Sequence, residues 1–123
     1  MGVITDIENL ADQLPALIEA QKAALAVKQK EMETLKDAGL IYANLHWRSG
    51  KYLYLIYPSH DGQRERKYIG ADPAKIEAAK ASIRRANEYN QLATEAGQIE
   101  RTLQQGGERL RDAVAYLSGR RLW

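Results

Sequence analysis

The sequence predicts an α+β fold, mostly α: a long amphipathic helix, a three-stranded antiparallel β-meander, a second long helix and a short C-terminal helix. Two long segments are rich in Ala, Leu, Lys, Glu and Gln, which are strong helix formers. The stretch between them is rich in tyrosine and aliphatic residues, which favours strands. At 123 residues, with 45% hydrophobic and 28% charged content, the chain is expected to form a single domain, 1–123.

The first helix is predicted over residues 16–38, where apolar side chains recur every seven residues as in a coiled-coil seam. The two seam positions hold Ile4, Ala11, Ile18, Leu25 and Met32, and Ile7, Leu14, Gln21, Lys28 and Leu35. The polar Gln21 and Lys28 are interpreted as register-setting residues or kinks. Pro15 lacks an amide proton, so it is predicted to start the long helix or to kink it after a short first segment. Gly39 is predicted to end the helix.

Three strands are predicted in the meander, which spans residues 41–69. They are expected at residues 41–48, 51–57 and 63–69. The Ser49-Gly50 pair forms the first tight turn, and the Asp61-Gly62 pair lies in the second. Connections this short require neighbouring strands to be antiparallel.

The second helix is predicted over residues 73–105, with Asp72 as its N-cap and Pro73 as its first residue. The Gly106-Gly107 pair is expected to interrupt it, because glycine in a helix costs roughly 1 kcal/mol relative to alanine. A shorter helix is predicted to follow over residues 108–118.

Charge and aromatic content both concentrate in the centre of the chain. Residues 1–40 carry a net charge of −3, residues 41–70 carry +3, and residues 71–123 carry +2. The central thirty residues also contain six of the nine aromatic side chains. This coincidence is the strongest functional signal in the sequence.

Strand alternation sorts the side chains of the meander onto two faces. The apolar face is predicted to hold Ala43, Leu45, Trp47, Leu53, Leu55 and Ile69 and to pack on the helices. The opposite face is predicted to hold Tyr42, Asn44, His46, Arg48, Tyr52, Tyr54, Ile56, Arg64, Arg66 and Tyr68. Arginine guanidinium groups match phosphate geometry, and tyrosine rings offer stacking surfaces for bases.

The candidate binding residues for a nucleic acid or nucleotide are His46, Arg48, Lys51, Tyr52, Tyr54, Arg64, Arg66 and Tyr68. An ordinary solvated sheet face remains the alternative. Lys80, Arg84 and Arg85 could extend the basic patch, or could form a solvated helix face paired with acidic neighbours. Arg120 and Arg121 could likewise reach a phosphate backbone or simply solubilise the C-terminal tail.

The sequence gives little support for an enzyme. It contains two histidines and no cysteine, and it lacks the HExxH, CxxC and GxSxG patterns and a phosphate-binding glycine loop. His46 with Asp61 is the acid–base pair left open. We therefore expect no catalytic residues, no metal site and no cofactor.

The helical seams predict a homo-oligomer, a dimer or higher. The expected interface residues are Ile18, Leu25, Met32, Ile83, Ile99 and Leu103. The N-terminal segment lacks the pattern of a signal peptide, and no apolar run approaches the ~18 residues of a membrane span. A cytoplasmic location is expected, in the host cell if a phage encodes the chain.

Residues 48–70, RSGKYLYLIYPSHDGQRERKYIG, combine a Gly-Lys turn, an aromatic strand, an Asp-Gly turn and a basic strand ending in Tyr-Ile-Gly. This pattern resembles the small sheet with which tyrosine recombinase arm-binding domains and AP2-type domains contact DNA. The resemblance covers about a fifth of the chain and implies a sheet face that reads DNA. The matching positions are Arg48, Lys51, Tyr52, Tyr54, Arg64, Arg66 and Tyr68. In overall style the chain also resembles small phage or plasmid accessory proteins, including inhibitors of host defence.

Two functional hypotheses follow. The first is a non-enzymatic nucleic-acid-binding accessory protein that presents the basic, tyrosine-rich sheet face to phosphates. The alternative is a counter-defence protein of a phage or mobile element, which sequesters a small (cyclic) nucleotide signal or inhibits a host nucleic-acid-binding complex. A purely structural coiled-coil adaptor would leave the composition of the sheet face unexplained.

Overall fold

The computed structural model describes residues 2–58 and 62–119. Its elements are α1 (Val3–Ala38), β1 (Asn44–Arg48), β2 (Tyr52–Ile56), β3 (Arg66–Gly70) and α2 (Pro73–Leu117). Helices account for 70% and strands for 13% of the structure, which confirms the α+β, mostly α fold class. Asp61 of the predicted second turn and the tail from Arg120 onward lie outside the described residues.

Helix α1 is 36 residues long and contains Pro15 within it. The predicted start at residue 16 is therefore wrong, since the helix begins at Val3, and the structure agrees with the alternative in which a helical segment precedes Pro15. A proline removes one amide donor, and the good helix formers on both sides of Pro15 outweigh this local loss. The predicted end is confirmed: Gly39 has φ of +109°, and its amide donates to the carbonyls of Leu35 and Lys36 at 3.2 and 3.1 Å.

Helix α2 begins as predicted. The Ala74 amide donates to Oδ1 of Asp72 at 3.1 Å, so the aspartate caps the helix whose first residue is Pro73. The predicted interruption at Gly106-Gly107, and with it a separate helix over 108–118, is wrong because α2 continues for 45 residues to Leu117. Breaking the helix would leave unpaired backbone groups at two new ends, which outweighs the low helix propensity of two glycines.

The three strands form one antiparallel sheet in the order β1-β2-β3. The predicted first turn is confirmed: Ser49 and Gly50 have φ of +55° and +72°, and the Lys51 amide donates to the Arg48 carbonyl at 3.3 Å. Positive φ at both central residues is the type I′ geometry whose twist suits a hairpin.

Each strand is shorter than predicted. The Ile41 amide donates to the Ser82 carbonyl of α2 at 3.2 Å, so the chain leaving α1 is bonded to a helix before β1 begins at Asn44. In β3, Tyr68 faces Tyr54 and Gly70 faces Leu53, so the intervening Ile69 is the extra residue of a β-bulge.

The core of the sheet is formed by Leu53 and Leu55, both fully buried against Ala79 of α2. Partly buried residues surround them: Ile41, Ala43, Tyr57, Ile69, Ile76 and Ile83. Two residues of the predicted apolar face pack less completely than expected. Leu45 and Trp47 remain 41% and 40% exposed because they lie on an edge strand.

The chain divides into two compact units. The sheet unit comprises Glu31–Leu92 and contains all three strands. The hairpin unit comprises Met1–Lys30 and Ala93–Trp123, and its parts of α1 and α2 are antiparallel. Within residues 2–58 and 62–119, no helix combines the length and apolar character needed to cross a membrane.

Candidate functional site

The sheet side opposite Leu53 and Leu55 is here called the open face. Antiparallel partners point to the same side and neighbours along a strand to opposite sides, so the register defines its members. They are Asn44, His46, Arg48, Tyr52, Tyr54, Ile56, Arg66 and Tyr68. All of these residues are exposed or half-buried. The open face therefore unites six of the eight predicted binding residues.

Two tyrosines meet at the centre of the open face. The ring centroids of Tyr54 and Tyr68 lie 4.9 Å apart, with their planes tilted by 55°. This is the tilted geometry that aromatic pairs prefer over face-to-face stacking. Gly70 supports the arrangement, since a Cβ atom there would lie 3.5 Å from the Tyr68 hydroxyl oxygen, and its φ of +103° also disfavours a side chain. Tyr68 remains 57% exposed, so its ring is available to a ligand.

A shallow concavity of about 420 Å³ lies beside this pair. Its lining residues are Arg48, Ser49, Tyr52, Tyr54 and Tyr68. Ser49 is a lining residue that sequence reasoning assigned only to the turn. Ser49 lies beside Arg48 and Tyr52 because the Ser49-Gly50 turn joins β1 and β2, the strands that carry these two residues.

The two arginines of the open face, Arg48 and Arg66, lie at opposite ends of the sheet. Arg48 pairs with Tyr52 at one end of the sheet, whereas Arg66 pairs with Ile56 at the other end and on the other edge strand. From strand geometry, the two Cα atoms are roughly 16 Å apart along the diagonal. The Nζ atom of Lys51 lies 5.2 Å from the centroid of the Tyr52 ring, a cation–π distance.

Two residues that were predicted to share this sheet face are not assigned to it by the structure. Arg64 is exposed in the segment that precedes β3, so strand alternation does not assign its side chain to the open face. The prediction for Tyr42 was wrong: it precedes β1, and its hydroxyl donates to Oδ1 of Asn90 in α2 at 3.2 Å. The chain follows α2 at this point, so strand alternation does not extend back to Tyr42.

The helix cations contact other parts of the sheet unit. Arg84 pairs with Glu77 at 2.9 Å. Arg85 donates from Nε to the Gly39 carbonyl at 2.8 Å, and from Nη2 to the Ala38 carbonyl at 3.2 Å and the Ser82 hydroxyl at 2.8 Å. Arg85 therefore caps the C-terminal end of α1, a role that sequence reasoning missed because it depends on contact between distant segments.

Lys80 also lies away from the open face. Its Nζ atom is 5.5 Å from the ring centroid of Trp47, whose neighbours in the register belong to the side of the sheet that packs on α2. Arg120 and Arg121, the other candidates for extending the basic patch, lie outside the described residues.

The geometry identifies no metal-binding cluster among the described residues and does not test the acid–base pair that the sequence left open. Within the part of the chain that the structure describes, no three His, Asp or Glu side chains are grouped in a way that could hold a metal ion. His46 faces Tyr54 on the open face, and the Asp61 proposed as its acid–base partner lies outside the described residues.

Most residues of the predicted oligomer interface are at least half-buried within a single copy of the chain. Ile83 packs against the sheet core, whereas Ile18 is 43% exposed. The other four residues are half-buried: Leu25, Met32, Ile99 and Leu103. Most of this seam therefore contributes to the folding of a single copy.

No protein-family model, curated protein or solved structure matches this chain. The resemblance of residues 48–70 to DNA-binding sheets accordingly stays a prediction.

Proposed function

We propose that the protein is a non-enzymatic nucleic-acid-binding protein that uses its open face. The observation that carries this proposal is the grouping of exposed arginines with exposed or half-buried tyrosines on one side of the sheet, around the Tyr54–Tyr68 pair. The other side of the sheet is apolar and packs on α2. The open face is thus built around polar recognition groups, with Ile56 its one aliphatic side chain.

The arginines supply the affinity for phosphate. Arg48 and Arg66 are both exposed, and neither takes part in an ion pair that the structure shows among the described residues. A guanidinium group in this state offers its planar set of donors to a phosphate, whose binding also releases condensed counterions.

The separation of these arginines favours a polymer over a single nucleotide. At roughly 16 Å between Cα atoms along the sheet diagonal, one phosphate is not expected to bridge both guanidinium groups. A nucleic-acid strand that crosses the open face diagonally would place one of its phosphates near Arg48 and another near Arg66. Its bases then pass over the central tyrosines, where sequence-tolerant stacking contributes about 1–3 kcal/mol per base.

Salt dependence tests this proposal. We expect a fluorescently labelled single-stranded DNA or RNA oligonucleotide to bind with an affinity that falls steeply as salt rises. Arg48→Ala with Arg66→Ala should flatten the logarithmic salt slope by about 1.4 units, roughly 0.7 for each phosphate of a single strand that is no longer neutralised.

The matched control is Arg84→Ala, which removes an exposed guanidinium away from the open face. It should leave the slope within experimental error of the unmodified chain. Absence of oligonucleotide binding at low salt, or equal slopes for the double variant and the control, would reject the proposal.

The concavity favours a second candidate, capture of a small phosphorylated nucleotide. Its volume of about 420 Å³ lies within the range of small-molecule sites, and Arg48, Tyr52 and Tyr68 line it. A mono- or cyclic nucleotide would bind with modest salt dependence and raise the melting temperature. The nucleotide should bind more weakly to Arg48→Ala but not to Arg66→Ala. A nucleic-acid strand should bind more weakly to both variants.

A further inference from the structure

The far ends of the two helices in the hairpin unit leave large apolar side chains uncovered. Each of the following is at least 41% exposed: Val3, Ile4, Ile7, Leu10, Leu17, Ile18, Val114, Tyr116 and Leu117. Nine such side chains present an apolar surface of the order of the roughly 800 Å² that each partner buries in a standard stable interface. Exposed apolar surface of this extent is typical of an interaction site.

A groove runs between α1 and α2 at this end of the unit, with a volume of about 680 Å³. Its apolar walls are formed by Leu14, Leu17, Ile18, Leu103 and Leu110. The backbone of Gly106 and Gly107 also lines it, where α2 presents no side chain.

Among residues 2–58 and 62–119, no neighbour packs where the side chains of this glycine pair would lie. A Cβ atom built on Gly106 or on Gly107 would meet nothing within 4 Å. Both residues nevertheless lie inside α2, where each glycine costs roughly 1 kcal/mol relative to alanine. Glycine on a helix face permits close approach of another backbone. The structure shows no such approach at Gly106 or Gly107 within the hairpin unit.

The charges beside the apolar surface differ between the helices. Residues 2–21 contain four acidic side chains and neither lysine nor arginine: Asp6, Glu8, Asp12 and Glu19. Residues 101–117 of α2 contain three arginines and two acidic side chains: Arg101, Arg109, Arg111, Glu108 and Asp112. The α1 segment of one copy is therefore complementary in charge to the α2 segment of another.

We propose that a second copy of this chain packs on the groove, with the hairpin units of the two copies forming a four-helix interface. In such a self-complementary pair, α1 of each copy lies against α2 of the other and approaches most closely at the Gly106-Gly107 notch. Pairing buries the apolar ends and brings the acidic segment beside the arginines. The proposal concerns the hairpin unit and is independent of what the open face binds.

The first test fills the notch. Gly106→Leu adds a side chain where the single copy has open space, so the chain should fold as before while the partner helix is excluded. Sedimentation equilibrium of the full chain at tens of micromolar should show a dimer, and Gly106→Leu should raise its dissociation constant at least tenfold. Gly97→Leu is the matched control in the same helix: Gly97 does not line the groove, and the neighbouring atom is the end of the flexible Arg101 side chain.

The second test uses two positions of α1 with equal exposure. Leu17 and Val27 are both 56% exposed, but Leu17 lines the groove and Val27 does not. Leu17→Asp should dissociate the dimer because it buries an unpaired carboxylate at the interface, and Val27→Asp should not. Circular dichroism checks that every variant keeps its helical content.

Three results would overturn the proposal. One is a strict monomer for the unmodified chain at tens of micromolar. Another is a dimer that survives both Gly106→Leu and Leu17→Asp, which would place the contact on another surface. The third is a dimer that dissociates equally in the control variants.

Discussion

The Nε atom of Arg85 donates to the carbonyl oxygen of Gly39 at 2.8 Å, and the same guanidinium bonds the Ala38 carbonyl at 3.2 Å. A cation thus bonds two of the carbonyls that are left unpaired where α1 ends. The contact joins residues 46 positions apart and links α1 to α2 within the sheet unit.

Arg85→Ala should lower the free energy of unfolding by about 2 kcal/mol, because bonds to a charged donor contribute roughly 1.5–3 kcal/mol. Urea denaturation followed by circular dichroism measures the change. Its neighbour provides the control: Arg84→Ala removes an exposed ion pair and should cost less than about 1 kcal/mol. Equal losses for the two variants would contradict the capping role.

Leu53→Ala should destabilise the sheet unit by about 2–5 kcal/mol, the range for a buried leucine whose removal leaves a cavity. Leu53 is fully buried, whereas Leu45 on the same face is 41% exposed. Leu45→Ala should therefore have a clearly smaller effect in the same denaturation experiment. If Leu45→Ala proved the more damaging variant, the core would not be centred on β2.

Asp72→Ala should lower stability by about 1 kcal/mol through loss of the N-cap bond to the Ala74 amide. Asp72→Asn keeps a side-chain oxygen acceptor and should retain most of that stability. Thermal unfolding of the three proteins in parallel measures the difference. An asparagine variant as unstable as the alanine variant would assign the loss to the charge of Asp72 instead of the cap bond.

Tyr54→Ala should weaken oligonucleotide binding by about 1–3 kcal/mol without changing the salt slope, because it removes a stacking ring and no charge. Tyr54→Phe keeps the ring and its contact with Tyr68, so it should bind nearly as the unmodified chain does. Anisotropy titrations at several salt concentrations separate the two effects. A changed slope for Tyr54→Ala would assign the loss to displaced arginines instead of stacking.

Local patterns predicted the order of the first long helix, the three strands and the second long helix. They also predicted the end of α1 at Gly39, the N-cap of α2 at Asp72 and the first hairpin turn. They did so because each depends on a few adjacent residues, such as Ser49 with Gly50 or Asp72 with Pro73. The sheet alternation likewise assigned six binding candidates to one face, since side-chain direction in a strand follows directly from position.

The errors came from cooperativity along helices and from long-range contacts. Pro15 and Gly106 weaken a helix locally, but the helical hydrogen bonds on both sides of each position keep the helix continuous. Lys28 illustrates the second cause. Its place in the seam indicated a register-setting residue, and the structure pairs it with Glu95 of α2 at 2.9 Å, a partner that no local pattern could identify.

The β-bulge at Ile69 has a consequence for how the sheet behaves in concentrated solution. β1 and β3 are the edge strands, and an exposed edge is a template for intermolecular pairing that leads to aggregation. On β3 the bulge bends the strand away from regular pairing, and Arg66 and Lys67 place two charges along its five residues. Both features disfavour the addition of a fourth strand from another molecule at this edge, while the open face stays accessible.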